Sequence, residues 1–289
     1  DSDVFQSLLT NYYKIGDMYR ANGDTLPALK AYKNGLIIAN TFVENDPKHI
    51  EGSRGLSVGY SKIGDVYKFN GDSVSALKSY EDSLAVTKTL VELDPKHTEW
   101  QRDLSAAYSR IGDMHKANGD GVAALKAYED SLAVTKTLVE LDPKHTEWQR
   151  DLSVVYSRVG DVYKVNGDSV SALKSYEESL AISKRLMEAD PSQTEWQRDL
   201  SVAYSRIGDM HKANGDDLSA INAYEANLSI SKTLVELDPN NINWQIDLVV
   251  AYYKLSQDQS EKATSFLIEA LKIHPNYKKR TRKTKKYHV

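Results

Sequence analysis

Residues 60–80 read "YSKIGDVYKFNGDSVSALKSY", and the same frame returns along the chain. Its central glycine recurs every 48 residues, at Gly16, Gly64, Gly112, Gly160 and Gly208. Tryptophan keeps the same interval, at Trp100, Trp148, Trp196 and Trp244. A fixed period of this length indicates a repeat protein. We therefore predict that the 289 residues form an array of repeats, and not the two globular domains that their length alone predicts.

Each repeat contains two amphipathic segments. The first places one stripe of side chains at helical spacing, at Trp100, Leu104, Tyr108, Ile111 and His115. The second does the same, at Ala76, Leu77, Tyr80, Leu84, Thr87 and Val91. The triplet Asn-Gly-Asp at 70–72 separates two such segments. Because glycine adopts the left-handed conformation that ends a helix and aspartate caps the next one, we predict a helix–turn–helix unit.

The junction between repeats reads "DPKHTEWQ" at residues 94–101. Pro95 prevents the second helix from continuing. Thr98 and Gln101 have the T-x-x-Q spacing of a capping box, which predicts that Thr98 caps a helix beginning near Glu99. We expect His97 to lie in a solvated loop.

The repeat resembles that of a known family. One set of residues carries the pattern: Tyr60, Ile63, Gly64, Tyr67, Ala76 and Tyr80. Their order resembles the tetratricopeptide repeat, with tyrosine in place of the family's tryptophan and phenylalanine. The resemblance implies an all-α fold, a right-handed superhelical α-solenoid of about six antiparallel helix pairs. Seven additional residues in each helix, about two turns, account for the step from the family's 34-residue repeat to the 48 residues found here.

We predict a single solenoid over residues 1–275. Its repeats are 1–47, 48–95, 96–143, 144–191, 192–239 and 240–275. In the last, shorter repeat Leu255 and Ser256 take the Ile–Gly positions, which is typical of a terminal cap. Residues 276–289 form a basic C-terminal tail that we expect to be solvated. Nuclear targeting, an anionic membrane surface and nucleic acid stay open as roles for this tail.

Three packing expectations follow from the pattern. A glycine within a helix costs about 1 kcal/mol relative to alanine, so Gly64 needs a reason, and we expect close packing on Ala76 of the partner helix. We also expect the repeated tryptophans to lie in the core, Trp148 among them. His115 and His211 lie on the apolar stripe, where other repeats have tyrosine, and so we expect them to be packing residues rather than ligands.

Composition and charge exclude several classes of protein. The chain has no cysteine, which removes disulfides and thiolate chemistry, and it has no apolar run long enough to span a bilayer. Residues 278–286 hold seven of the 37 basic side chains, so 30 basic and 41 acidic residues leave the remainder at a formal charge of −11. An acidic body argues against nucleic-acid binding except through the tail. With no signal peptide, we predict a soluble cytoplasmic protein.

Catalytic motifs are not supported by the sequence. His97, Thr98 and Glu99 match the H-x-E fragment of zinc deaminases, but the C-x-x-C pair that those enzymes need requires cysteine. Neither a phosphate-binding G-x-x-x-x-G-K-[ST] loop nor an H-E-x-x-H helix occurs. We therefore expect no enzymatic activity, no cofactor and no metal.

The opposite face of the first helix carries the candidate partner-binding residues. Arginine, serine, aspartate and lysine recur on it as rows, at Arg102, Ser109, Asp113, Lys116, Arg150, Ser157, Asp161, Lys164, Arg198, Ser205, Asp209 and Lys212. The family resemblance implies that these helices line a concave groove that holds peptides. Either the charges pair with one another along the stack, or the basic rows grip an extended peptide or acidic side chains of a partner. Aspartate stands where the family's carboxylate clamps have asparagine, which argues against recognition of a terminal carboxylate.

These patterns favour a protein-interaction scaffold or peptide-binding module. One alternative is a sensor or recruitment arm of a larger multidomain signalling protein, since the chain begins abruptly within a helical pattern. Another alternative is an array that self-associates through its near-identical repeats. In each case the expected partner is a protein or a peptide whose identity the sequence does not give.

Overall fold

The computed structural model describes residues 2–258, 264–265 and 268–269, and these residues are helical throughout apart from short turns. Eleven helices are defined within them: α1 (Ser2–Ala21), α2 (Thr25–Asn45), α3 (Ile50–Phe69), α4 (Ser73–Leu93), α5 (Thr98–Ala117), α6 (Gly121–Leu141), α7 (Thr146–Val165), α8 (Ser169–Ala189), α9 (Thr194–Ala213), α10 (Asp217–Leu237) and α11 (Ile242–Asp258). We call the odd-numbered helices A and the even-numbered helices B. The predicted all-α fold of repeated helix pairs is confirmed.

The chain divides into two compact units, Asp1–Trp148 and Gln149–Val289, and the division falls within α7. In the first unit, α1 to α6 each pack on their neighbours in the chain. In the second unit, α8 packs on α9, α9 on α10, and α10 on α11. The single solenoid over 1–275 stays a prediction. The basic tail at 276–289 lies outside the described residues, and so does the part of the predicted cap after residue 258, apart from residues 264–265 and 268–269.

The Asn-Gly-Asp turns form as predicted. Gly71 has φ +77°, in the left-handed region that glycine adopts without strain, and the equivalent glycines have φ between +79° and +84°. Asp72 then caps α4, because its carboxylate accepts the backbone N–H of Ser75 at 3.0 Å. The short turn brings helices A and B of one repeat side by side.

The predicted capping box at the other junction is wrong. Helix α5 begins at Thr98, so the residue at its N-cap is His97 and not Thr98. Gln101 donates its amide to the carbonyl of Pro95 at 3.0 Å. The His97 ring stacks on Trp100, with 4.0 Å between the ring centroids, and is therefore not a solvated loop residue. Because the His97 imidazole packs on the Trp100 indole one turn later, His97 takes the N-cap position that was expected for Thr98.

The central glycines of α1, α3, α5, α7 and α9 pack most closely on a tyrosine, rather than on the alanine that was expected. A Cβ atom on Gly64 would lie 2.6 Å from the Tyr80 ring, closer than side chains tolerate. Gly112 stands in the same relation to Tyr128. Both tyrosine rings are buried. The glycine is thus required because an aromatic ring from helix B lies directly on the backbone of helix A.

The core follows the predicted stripe with two differences. Trp100 is buried, whereas Trp148 and the tryptophans after it are only half-buried, so the core expectation for Trp148 is wrong. His115 is half-buried and its neighbour Met114 takes the buried position. Methionine fits this site because a flexible apolar chain fills a gap that a polar imidazole would leave unsatisfied.

A row of buried hydroxyl groups joins helices A and B in the interior repeats, and we call it the hydroxyl seam. In α3 and α4, the Ser57 Oγ lies 2.6 Å from Thr87 Oγ1 and 3.1 Å from Ser83 Oγ. Equivalent contacts join Ser105 with Ser131 and Thr135, Ser153 with Ser179 and Ser183, and Ser201 with Asn227 and Ser231. Hydrogen bonding within the seam offsets the cost of burying these polar groups.

Candidate functional site

The candidate rows lie on helices A, and the aspartate row is at their centre. Asp209 accepts hydrogen bonds from Tyr224 of its own repeat at 2.9 Å and from Lys254 of the next helix A at 2.6 Å. Lys164, from the preceding helix A, approaches the same carboxylate at 3.2 Å. Each aspartate therefore joins a tyrosine with basic groups from neighbouring repeats.

The pKa of Asp209 reflects two opposing effects. Burial alone would raise this pKa, but the hydrogen bond from Lys254 and the positive charges of Lys254 and Lys164 outweigh it and hold the pKa below its usual value. The tyrosines respond in the opposite direction, since burial and the adjacent Asp65 raise the pKa of Tyr80. Asp209 is thus ionised at neutral pH, and Tyr80 keeps the proton that it donates to Asp65.

The same arrangement holds the other two candidate aspartates. Asp113 accepts from Tyr128 at 2.7 Å, and Lys68 lies 3.8 Å away. Asp161 accepts from Tyr176 at 2.9 Å and from Arg206 at 3.1 Å. These carboxylates are half-buried. Their negative charge is partly neutralised within the protein.

The arginine row pairs with acidic residues of the following helix A. Arg102 contacts Glu147 at 2.6 Å and Arg198 contacts Asp247 at 2.7 Å. Arg150 contacts Asp199 at 2.6 Å and also contacts Glu195. All three guanidinium groups keep part of their surface exposed. The row is therefore both a link between repeats and a set of donors open to solvent.

The lysine row is the most exposed of the four. Lys116, Lys164 and Lys212 all have exposed side chains. Lys212 contacts Asp217 at the start of α10 at 2.9 Å. Long exposed lysines contribute little to stability in such pairs, so their charge stays available to a partner.

The serine row differs from its prediction in position. Ser109 and Ser157 are buried between helices, and the Ser109 Oγ lies 2.9 Å from Ser131 Oγ in the hydroxyl seam. Ser205 is half-buried and accepts a hydrogen bond from Lys254 at 2.7 Å. Ser109 thus belongs to the contact between helices A and B. Sequence periodicity alone does not distinguish the buried serines from the charged rows, because both recur every 48 residues and lie within one helical turn of each other.

A cavity opens beside the rows in the second compact unit. It has a volume of about 210 Å³ and lies between α7 and α9. Its lining includes Arg158, Arg198, Arg206, Ser153 and Ser179. Both serines are buried. The cavity therefore combines guanidinium and hydroxyl groups with the carboxylate of Asp199, and its donors can hydrogen-bond peptide carbonyls and acidic side chains.

The described residues offer neither a metal site nor a membrane-spanning helix. They contain no cluster of three or more histidine, aspartate or glutamate side chains that could hold a metal ion. Among their helices, none combines the length and apolar character needed to cross a bilayer.

Comparison with known proteins identifies the fold. No protein-family model matches the sequence, and no curated protein matches it significantly. Among solved structures, BtubC (BKLC) from P. vanneervenii is 17% identical, with a TM-score of 0.62 over 90% of this chain and 92% of that chain. A putative kinesin light chain from Podosopora anserina, with nearly identical TPR-like repeats, is 15% identical, with a TM-score of 0.58 over 81% and 98%.

A third structure comes from a larger protein. The signal-transduction ATPase with numerous domains (STAND) from Pyrococcus horikoshii, which has a tetratricopeptide repeat sensor, is 14% identical, with a TM-score of 0.63. The likeness covers 94% of this chain and 37% of that one. At these identities the likeness concerns the fold. The helix pairs, the Asn-Gly-Asp turns and these neighbours together give the chain a tetratricopeptide-type repeat fold, as the sequence resemblance predicts.

Proposed function

We propose that the chain is a non-catalytic protein-interaction module. Its binding surface is the ladder face, by which we mean the side of helices A that carries the arginine, aspartate and lysine rows. The tetratricopeptide-type fold supports a role in binding proteins or peptides. The comparisons leave the partner unnamed.

One observation carries the choice of surface. The cavity between α7 and α9 presents Arg198 and Arg206 beside the buried hydroxyl groups of Ser153 and Ser179. Arg198 already contacts Asp247 at 2.7 Å, and the guanidinium group remains partly exposed. Because a guanidinium group has five N–H donors, Arg198 can keep this contact and still bind an acceptor of a partner. A peptide carbonyl or an acidic side chain is such an acceptor.

The ladder face also disfavours one kind of ligand. Asp209 is ionised at neutral pH because Lys254 and Lys164 hold its pKa low. A terminal carboxylate placed on the aspartate row would meet like charge at several steps. We therefore propose internal peptide segments, with their acidic side chains on the arginine row, as the ligand.

The test compares two multiple variants in a pull-down read by mass spectrometry. The first replaces Arg102, Arg150 and Arg198 with alanine, and we expect it to lose the partners of the wild-type chain. The matched control removes the opposing charges with Glu147→Gln, Glu195→Gln, Asp199→Asn and Asp247→Asn. It breaks the ion pairs described for these arginines and keeps the arginines. We expect this control to retain its partners.

Two results would contradict the proposal. Partners bound equally by the folded arginine variant would exclude the ladder face. Equal loss from both variants would mean that the ion pairs act only by joining repeats. Circular dichroism of both variants establishes that they are folded.

The recruitment-arm alternative stays a second hypothesis. It is supported by the likeness to a STAND protein in which a tetratricopeptide repeat sensor occurs beside other domains. An ATPase or other effector domain in the same reading frame would support this alternative, and a reading frame confined to the repeats would contradict it.

A further inference from the structure

The serine row of helices A contains a hydroxyl group without an internal partner. In α5, the Ser109 Oγ lies 2.9 Å from Ser131 Oγ. In α9, the Ser205 Oγ accepts a hydrogen bond from Lys254 at 2.7 Å. Ser157, at the same position of α7, is only 7% exposed, yet its hydroxyl has no hydrogen-bond partner among the described residues. Because buried hydroxyl groups are nearly always hydrogen-bonded, a partner from outside the chain, a water molecule or a ligand, is expected at Ser157.

The Ser157 side chain lines the cavity between α7 and α9 in the second compact unit. Val154 and Val202 form apolar parts of the same lining, and both are half-buried. Ser153 and Ser179 also line it, but their Oγ atoms lie 2.9 Å apart within the hydroxyl seam. Among the hydroxyl groups of this lining, the one that remains available to a ligand is therefore that of Ser157.

Two guanidinium groups of the lining have further donors. Arg198 uses Nε and Nη2 for the Asp247 carboxylate, at 2.7 and 3.5 Å. Arg206 uses Nε and Nη2 for the Asp161 carboxylate, at 3.1 and 3.3 Å. In both groups Nη1 has no hydrogen bond to any described residue. The Tyr176 ring, 5.9 Å from the Arg206 guanidinium, adds to these contacts, so the guanidinium groups are held in place before a ligand arrives.

The charges around the cavity favour an acceptor. Its lining carries three arginines, of which Arg158 is the third, and the carboxylate of Asp199. This carboxylate already accepts a hydrogen bond from Arg150 Nε at 2.6 Å. Asp161 and Asp247 offset part of the positive charge through their own arginine contacts. The groups that still lack a partner are donors, and a carboxylate supplies two acceptor oxygens for them.

Given the ladder face as the binding surface, on which this inference rests, we propose that the cavity binds a single glutamate side chain of the partner. The glutamate carboxylate accepts hydrogen bonds from the Ser157 hydroxyl and from Nη1 of Arg198 and Arg206. Its two methylene groups lie between Val154 and Val202. Ser157 is the residue that selects this side chain, because it supplies a buried donor that only an inserted acceptor reaches.

The probe is the capped tripeptide Ac-Ala-Glu-Ala-NH2, titrated into the chain and followed through the NMR signals of valine methyl groups. Val154 and Val202 report from the cavity, and Val122, an exposed valine of the first compact unit, is the reference. We expect saturable shifts at Val154 and Val202 and none at Val122.

Two related tripeptides test the chemistry of the inserted group. With aspartate in place of glutamate we expect about fourfold weaker binding, because one methylene group fewer is buried. With glutamine we expect about tenfold weaker binding, because a neutral acceptor forms weaker hydrogen bonds with guanidinium groups than a carboxylate does.

Two serine variants separate the cavity from the seam. Ser157→Ala removes an unpartnered hydroxyl, so we expect about tenfold weaker binding of the glutamate peptide and an unchanged free energy of unfolding. Ser109→Ala is the matched control at the equivalent position of α5. It removes the contact with Ser131 at 2.9 Å, so we expect lower stability and unchanged binding.

Several results would overturn the glutamate assignment. They are the absence of saturable shifts at Val154 and Val202, equal affinity for the glutamate and glutamine peptides, and wild-type affinity in the folded Ser157→Ala chain. Propionate tests the source of the carboxylate. We expect it to bind much more weakly than the glutamate peptide, and equal binding would identify a small carboxylic acid as the ligand and overturn the choice of a peptide.

The quantified pull-down distinguishes failure of this inference from failure of the ladder face. Reduced recovery of the partners by both the arginine variant and Ser157→Ala supports both. Loss from the arginine variant alone keeps the ladder face as the binding surface and overturns the role of Ser157. Full recovery by both variants excludes the ladder face, and the glutamate assignment falls with it.

Discussion

Every helix pair described above packs a tyrosine on its central glycine, but α1 and α2 pack a second tyrosine ring where α3 and α4 pack hydroxyl groups. In the first pair Tyr13 lies against Gly35, where a Cβ atom would be 2.2 Å from the ring. In the second pair the positions 48 residues later are Ser61 and Ser83. At these two positions the first helix pair thus has a large side chain facing a glycine, and the second helix pair has two serines.

The two kinds of packing also differ in where their polar groups form hydrogen bonds. The Tyr13 hydroxyl donates to the backbone carbonyl of Gly55 at 2.7 Å, which ties α1 to α3. The hydroxyl seam instead ties helices A and B of the same repeat, as where Ser83 donates to the carbonyl of Ser57 at 2.9 Å. Tyr13 therefore anchors the first repeat to its neighbour, and the hydroxyl seam anchors the two helices of the second repeat to each other.

The largest expected loss of stability comes from removing the Tyr13 ring. Tyr13→Ala removes a buried ring, leaves a cavity beside Gly35 and removes the hydrogen bond from the Tyr13 hydroxyl to the Gly55 carbonyl. We expect a loss of about 3–5 kcal/mol in the free energy of unfolding of the first compact unit, measured by urea denaturation. Ser61→Ala is the matched control at the equivalent position, and we expect it to change stability by less than about 1 kcal/mol. Similar losses from both variants would contradict the difference between the pairs.

A smaller effect tests the hydroxyl seam. Thr87→Val keeps the shape of the side chain and removes the hydroxyl that contacts Ser57 at 2.6 Å and donates to the Ser83 carbonyl at 2.9 Å. We expect a loss of about 1 kcal/mol by thermal or urea denaturation. Thr89→Val on the exposed side of the same helix should stay within about 0.5 kcal/mol of the wild-type chain. A stabilised Thr87→Val variant would show that the seam costs more than it contributes.

The smallest effect concerns the ion pair that joins α1 to α3. Lys62 contacts Asp17 at 2.7 Å. Burial alone would raise the pKa of Asp17, but hydrogen bonds from Lys62 and Tyr32 outweigh it and lower this pKa. We expect Lys62→Met to cost up to about 1 kcal/mol at pH 7. Lys30→Met, at an exposed position on α2, is the control.

The contribution of the Lys62–Asp17 ion pair to stability should depend on pH. A lowered pKa means that the folded state favours the ionised carboxylate, so the stabilisation is fully present above the ordinary aspartate pKa and is lost as the pH falls through the lowered one. Denaturation curves of the wild-type and Lys62→Met chains should therefore converge in acid. Curves that stay equally far apart at low pH would show that Lys62 acts by packing instead.

Much of the fold was predictable because its signals are local. The 48-residue period, the Asn-Gly-Asp turns and the amphipathic stripes each depend on residues close in sequence, and the structure confirms the helix pairs. The capping box failed because stacking of His97 on Trp100 competes with Thr98 for the helix start. The partner of Gly64 was misassigned because both Ala76 and Tyr80 lie on the same face of α4.

The site was predictable in its charges and not in its burial. The arginine, aspartate and lysine rows form contacts between repeats, one of the two outcomes that the sequence allows. Ser109 and Ser157 repeat with the same period and yet are buried, and Ser109 contacts Ser131 of the hydroxyl seam, because one helical turn separates the seam from the ladder face. Whether these rows also bind a partner stays a proposal.

The charge contacts between repeats have a consequence for how the chain can change in length. Asp17 forms an ion pair with Lys62, and Asp65 forms one with Arg110 at 3.8 Å. In each case the basic residue lies one repeat later in the chain. Excision of residues 50–97 would place Arg110 at the position of Lys62, so Asp17 would again face a positive charge. Met114 would likewise replace Val66 beneath α2. Loss of this repeat therefore keeps a basic residue opposite Asp17, so a chain shortened by recombination between near-identical coding segments would retain this link between helices A.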